Sequence, residues 1–271
     1  MTGDADGEGA IASVEYSLRS GAAWLVLNRP RAANGLDPMM IAEFSAALQR
    51  AGDDDAVKNV VITGAGNAFC AGVDLSYASE LGKSADRAFE EFLQPFAALV
   101  ANLEAFNKPL IAAVNGACVG GGLEILLACD VVISAEQAVI GDGHVVYGLL
   151  PVTGLVRKLV RAIGSIRASS LLLTGSLYPA AELMSAGLVN RVVAAEHLET
   201  EVQELANLIG RRSTTTLSHL KSMLRGELDM TDHSAALFEL GLAREHFDSG
   251  IPQQGITAFV KGREPDFEAT Q

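Results

Sequence analysis

Residues 114–130 read VNGACVGGGLEILLACD. Gly120, Gly121 and Gly122 stand just ahead of Glu124 and an apolar helical run. Glycine is a poor helix residue, and a carboxylate followed by Ile-Leu-Leu-Ala risks burial. The junction therefore needs a bare backbone and an acid together. Phosphate binding is the commonest use of a glycine turn after a strand, but neither nucleotide motif holds. The stretch TGAGNAFCAG begins as G-x-G-x-x-G and then has Phe69 in the third glycine position. Gly116 and Gly121 have P-loop spacing, yet Gly122-Leu123 replaces the required Lys-Ser/Thr. What remains is an oxyanion site. N–H groups at a helix start are unpaired and lie at the positive end of the helix dipole. Aimed at a thioester or ketone oxygen, they stabilise the enolate formed when an adjacent proton leaves. Glu124, in the first helical turn, would move that proton. The plainer alternative is that the glycines only permit close helix–strand packing while Glu124 favours a helix start; this stretch alone leaves both open.

The whole chain bounds the answer. It has 271 residues, 49% hydrophobic and 20% charged, enough for a sizeable core. A net charge of −13 opposes non-specific binding to nucleic acid, which rests on Lys and Arg against phosphates. Cys70, Cys118 and Cys129 form no CxxC pair, which points to reduced thiols and a cytoplasmic location. There is no basic-then-apolar leader and no uninterrupted apolar run long enough for a membrane span. The opening MTGDADGEGA reads as a flexible acidic tail.

Strands are expected in AAWLVLNRP, ending at the Asn-Arg-Pro turn, in VKNVVITGAG, entering a glycine turn, in KPLIAAVNG, with Pro109 at its entrance where a missing N–H costs little, and in DVVISAE. Helices are expected after Asp37-Pro38, after the triple glycine, and over TGLVRKLVRAIGS and IRASSLLLTG. Strands alternating with helices through short glycine turns indicate an α/β domain. Beyond GLVNRVV the period is helical. The expected division is a flexible tail at 1–10, an α/β core at 11–195 and a helical region at 196–271.

ITGAGNAFCAGVDL followed by KPLIAAVNGACVGGGLEILLACDVVIS resembles the crotonase superfamily, the enoyl-CoA hydratase/isomerase family. LNRPRAANGLD, LLLTGSLYPAAELMSAGLVNRVV and QQGITAFVKGREPDF extend the resemblance over nearly the full chain. It implies a spiral of ββα units with a helical C-terminal trimerisation region, assembled as a homotrimer or homohexamer. It implies an acyl-CoA substrate, with coenzyme A entering as part of the thioester and no separate cofactor or metal. The oxyanion N–H groups would be those of Val73 and Gly121, and Val73-Asp74-Leu75-Ser76 would line the CoA site.

Glu124 matches the first of the two glutamates that hydratases of this family use. At the place of the second stands His144, preceded by Asp142 and Gly143, with Asp142 assigned to substrate binding. Histidine exchanges protons near neutral pH, so Glu124 and His144 are the expected proton-handling pair. A related branch hydrolyses C–C bonds in β-diketones and pairs a histidine with the glutamate in this way. It carries a further histidine where this chain has Gly122, and a carboxylate where it has Thr153. A non-catalytic acyl-CoA binder is the other alternative. His197, His219, His233 and His246 read as surface or packing residues, and Arg29 and Lys261 as solvated charges rather than phosphate ligands.

Overall fold

Strand β1 (Val14–Arg19) turns through Ser20-Gly21, both at positive φ, into the antiparallel β2 (Ala22–Leu27). A two-residue turn of that hand matches the twist of the strands it joins. In the computed structural model, which describes residues 12–81, 84–227 and 230–267, eight further strands follow. They are β3 (Asn59–Gly64), β4 (Ala68–Cys70), β5 (Leu110–Val114), β6 (Ala117–Val119), β7 (Val131–Ala135), β8 (Val139–Gly141), β9 (Leu177–Pro179) and β10 (Arg191–Val193). One sheet runs β1-β2-β3-β5-β7-β10, parallel from β2 onward; the other runs β4-β6-β8-β9. The chain thus alternates between sheets. β3 and β4, β5 and β6, and β7 and β8 each place a long strand in the first sheet and a three-residue strand in the second. The expected tail at 1–10 lies outside the described residues.

The helices are α1 (Pro38–Asp53), α2 (Leu75–Leu81), α3 (Ala85–Ala88), α4 (Gln94–Ala105), α5 (Gly121–Leu126), α6 (Leu155–Ile163), α7 (Ser165–Thr174), α8 (Ala180–Ala186), α9 (Leu198–Gly210), α10 (Thr214–Glu227), α11 (Asp232–Asp248) and α12 (Ile251–Val260). A π-helical turn, Phe89–Leu93, joins α3 to α4. Helix α1 starts as expected: the Asp37 carboxylate accepts the Met40 N–H at 2.8 Å, and Pro38 occupies the first turn.

Every residue of β5 is buried because the first sheet is covered on both faces. Leu110, Ala112 and Val114 join Leu25, Ile62 and Leu99 in the main core. Ile111 and Ala113 face the other way, with Trp24, Val61 and Ile133, and are covered by Leu198, Val202 and Ala206 of α9. Those three positions recur every four residues and so share one helix face. Helix α10 is held to the core by ions. Lys221 pairs with Asp130 at 2.6 Å and donates to the Lys108 carbonyl at 2.8 Å, and Arg225 donates to the Glu104 carbonyl at 2.8 Å. By contrast α11 and α12 leave Leu237, Leu240, Phe247, Phe259 and Val260 exposed.

Candidate active site

The three glycines have separate local reasons. Gly120 caps α5 at φ +53°, ψ −114°, which a side chain would strain, and its N–H donates to the Gly141 carbonyl at 3.1 Å. At Gly122 a Cβ would stand 2.2 Å from the Cys70 carbonyl oxygen, so only glycine lets α5 lie on β4. A Cβ at Gly121 would meet Leu36 Cδ1 at 2.8 Å and Phe96 Cζ at 3.3 Å, both on the wall of a cavity of about 170 Å³. Packing therefore explains Gly122, while Gly121 is the glycine that borders the cavity.

Val73 stands on the same wall. It bridges Leu36 in parallel: the Leu36 N–H donates to Gly72 O at 2.8 Å, and the Asp74 N–H donates to Leu36 O at 2.9 Å. In such a pairing the N–H of Val73 itself points away from Leu36. Among the described residues neither it nor the Gly121 N–H has an acceptor. The two turns touch, since a Cβ on Gly72 would lie 3.2 Å from Gly121 N.

Glu124 is 1% exposed and still lines the cavity. Its Oε1 accepts three hydrogen bonds, from Val152 N–H and Thr153 N–H at 3.2 Å each and from the Thr153 hydroxyl at 2.8 Å. Oε2 is left without a partner among the described residues. Burial pushes the carboxyl above its ordinary pKa, partly offset by the Thr153 hydroxyl and by the His144 charge. The sequence marks Thr153 only as the place of a carboxylate in the related branch and gives no sign of its bond to Glu124. That bond becomes visible only when the fold brings Thr153 onto α5.

His144 begins the 3-10 turn His144–Tyr147 and lies against Gly120, where an added Cβ would stand 3.5 Å from its Cε1. Its Nδ1 is hydrogen-bonded to Asp142, a carboxylate only 2% exposed. Asp142 stands behind the imidazole, off the cavity wall, so what it holds is His144. That bond fixes Nδ1 as the protonated nitrogen and leaves Nε2 for chemistry. Burial opposes a charge on the ring, but the hydrogen bond and charge of Asp142, with Glu124 beside it, hold its pKa above the ordinary value.

The turn Asp74-Leu75-Ser76 is laid out differently from Val73. Asp74 caps α2, accepting from Ser76 N at 2.9 Å and Tyr77 N at 3.3 Å, while Leu75 and Ser76 face solvent beside the cavity rather than in it. Arg29 corrects the expectation of a solvated charge. It pairs with Asp74 at 2.8 Å and Asp37 at 3.1 Å and donates to the Gly35 carbonyl at 2.5 Å, bracing the turn that carries Val73. The hydrogen bonds and charge of Arg29 and the helix N–H groups outweigh burial and hold the Asp74 carboxyl below its usual range. Lys261 is exposed, as are His197 and His233. His219 and His246 pack edge to face at 5.2 Å between α10 and α11. Among the described residues no cluster of three or more His, Cys, Asp or Glu side chains could hold a metal ion.

A chain that alternates ββα units between two sheets has the fold of a crotonase-type protein. The chain belongs to the enoyl-CoA hydratase/isomerase family, whose model matches residues 18–270. It is 34% identical over 241 residues to a probable mitochondrial enoyl-CoA hydratase of Dictyostelium discoideum, covering 89% of this chain and 85% of that one. It is 34% identical over 244 residues to the 2,3-dehydroadipyl-CoA hydratase of Escherichia coli K12, covering 90% and 94%. The fold is similar to that of the Bacillus anthracis enoyl-CoA hydratase, with a TM-score of 0.89 at 28% identity over 93% of this chain and 98% of that one.

Proposed function

We propose that the protein binds an acyl-CoA thioester, holds its carbonyl oxygen with the N–H groups of Val73 and Gly121, and exchanges protons at the neighbouring carbons through Glu124 and His144. The observation that carries this reading is the convergence of all four on one apolar cavity. An enolate is the species those groups suit: two preorganised donors for its oxygen, and a carboxylate to take the proton that creates it. Asp142 acts through His144, and Thr153 through Glu124, as positioning residues. The β-diketone reading loses ground on two points. Gly122 has no room for any side chain, and Thr153 is spent on Glu124.

Hydration asks one group to take a proton from water and another to manage the proton at the α-carbon. With Nδ1 committed to Asp142, the imidazole offers a water only Nε2, where a carboxylate would offer two oxygens. We therefore expect slow hydration of crotonyl-CoA by the native protein, with another proton-transfer or hydrolytic step on an acyl-CoA preferred. His144→Glu should raise hydration, because the introduced carboxylate would stand beside Asp142 and keep a proton to donate. Loss of enoyl absorbance reads this directly. Efficient native hydration that falls in His144→Glu would overturn it.

Assembly belongs to the same proposal. The exposed Leu237, Leu240 and Phe247 of α11 and Phe259 and Val260 of α12 suit subunit contacts in a trimer or dimer of trimers. Light scattering at micromolar concentration should give a multiple of the 28.4 kDa chain; a strictly monomeric mass would exclude such contacts. The free thiols of Cys70, Cys118 and Cys129 fit a reducing compartment such as the cytoplasm. Among the described residues no helix is long and apolar enough to cross a membrane.

A further inference from the structure

The cavity beside Glu124 reads as a selector of acyl groups. Apart from Glu124 and His144, every described side chain on its wall is apolar. One side is built at helical spacing. Phe96 meets the Gly121 position, Phe92 stacks on Phe96 with ring centroids 6.0 Å apart and planes 19° apart, and Ala88 follows one turn further back. The π-helical turn Phe89–Leu93 includes Phe92 and so forms part of this wall. Leu36, Leu81 and Leu150 stand on the remaining wall. The nearest described cation in sequence, Arg87, is turned to solvent, where its Nε pairs with Glu91 at 2.8 Å. Glu90, also turned to solvent, adds a negative charge to this segment.

We infer that the acyl group accepted here is neutral and apolar, about six carbons long counting the reacting ones, and that a chain ending in a carboxylate is rejected. The inference deepens the acyl-CoA reading and rests on it. Size sets the first half: apolar cavities of roughly 150 Å³ take a six-carbon guest such as benzene, and this one measures about 170 Å³. Charge sets the second. A carboxylate at the chain end would leave water with no cationic side chain among the described wall residues beyond His144, while the Val73 and Gly121 N–H groups are taken by the thioester oxygen in the proposed reading, and an unpaired buried charge is strongly disfavoured. The selectivity would thus differ from the substrate for which the Escherichia coli relative is named.

Calorimetry with four saturated probes tests this: free CoA, acetyl-CoA, hexanoyl-CoA and adipyl-CoA. Hexanoyl-CoA should bind at least about tenfold tighter than acetyl-CoA, from the added methylenes. Adipyl-CoA, of the same chain length, should bind at least roughly a hundredfold more weakly than hexanoyl-CoA. Ala88→Arg, a change at a half-exposed position that the fold can absorb, should raise adipyl-CoA affinity by about tenfold or more and lower that of hexanoyl-CoA. Adipyl-CoA binding within a few-fold of hexanoyl-CoA would overturn the selectivity, including when Lys83→Ala removes that binding, since Lys83 lies outside the described residues. A folded Ala88→Arg protein that gains nothing for adipyl-CoA would overturn the placing of the chain end near Ala88. Thioesters that all bind no better than CoA would instead overturn the acyl-CoA reading beneath it.

Discussion

Gly121→Val is expected to leave a folded protein with almost no thioester turnover. The added side chain projects where a first carbon already stands 2.8 Å from Leu36 Cδ1 and 3.3 Å from Phe96 Cζ. Both are side-chain ends that can yield, so the core accommodates the change by giving up cavity space. What cannot yield is the place of the substrate carbonyl, which in the proposed reading sits against the Gly121 N–H. Losing one oxyanion donor costs about 3–4 kcal/mol of transition-state stabilisation, roughly 10²–10³ in kcat. Steady-state kinetics on any accepted thioester, beside a melting curve, separates this from misfolding. Unchanged kcat in a folded variant would remove Gly121 from the oxyanion site.

Glu124→Gln should be as severe for a different reason. The amide oxygen can still accept from Val152, Thr153 N–H and the Thr153 hydroxyl, so the turn and helix keep their arrangement. Only the oxygen that accepts the proton is lost, a change of roughly 10²–10⁴ for a general base. The native pH profile carries the same information. Burial raises the Glu124 pKa, so the fraction ionised, and with it proton abstraction, falls as the pH drops through a value above the ordinary carboxylate range. That acid limb should be absent from Glu124→Gln. A residual rate with the native profile would show that another group takes the proton.

The parts of this molecule that sequence reveals are those carried by local chemistry. Asp37-Pro38 announces α1, and the all-apolar β5 announces a doubly covered strand. Val73, Gly121, Glu124 and His144 stand out because motifs or departures from them mark the positions. Strand β1 is missed although Val14, Tyr16 and Leu18 alternate with Glu15, Ser17 and Arg19, the period of a half-exposed edge strand, and Ser20-Gly21 marks the turn after it. Strands β4, β6, β8 and β9 are three residues each, too short for any period to show. Thr153, the Asp142–His144 bond and the Arg29 bridge depend on distances across the fold rather than along it. The Arg29–Asp74 pair spans 45 positions of chain, and Thr153 lies 29 positions beyond the acid it holds.

The central claim is that this site makes an enolate from a bound thioester. A saturated substrate isolates that step, having no double bond to hydrate and no β-carbonyl at which a carbon–carbon bond could be cleaved. Hexanoyl-CoA incubated with the protein in D₂O and followed by mass spectrometry or proton resonance should exchange its C2 hydrogens far faster than in buffer. Glu124→Gln should remove that exchange while hexanoyl-CoA still binds. Bound hexanoyl-CoA whose C2 hydrogens exchange no faster than in buffer, or exchange equally in both proteins, would contradict the account.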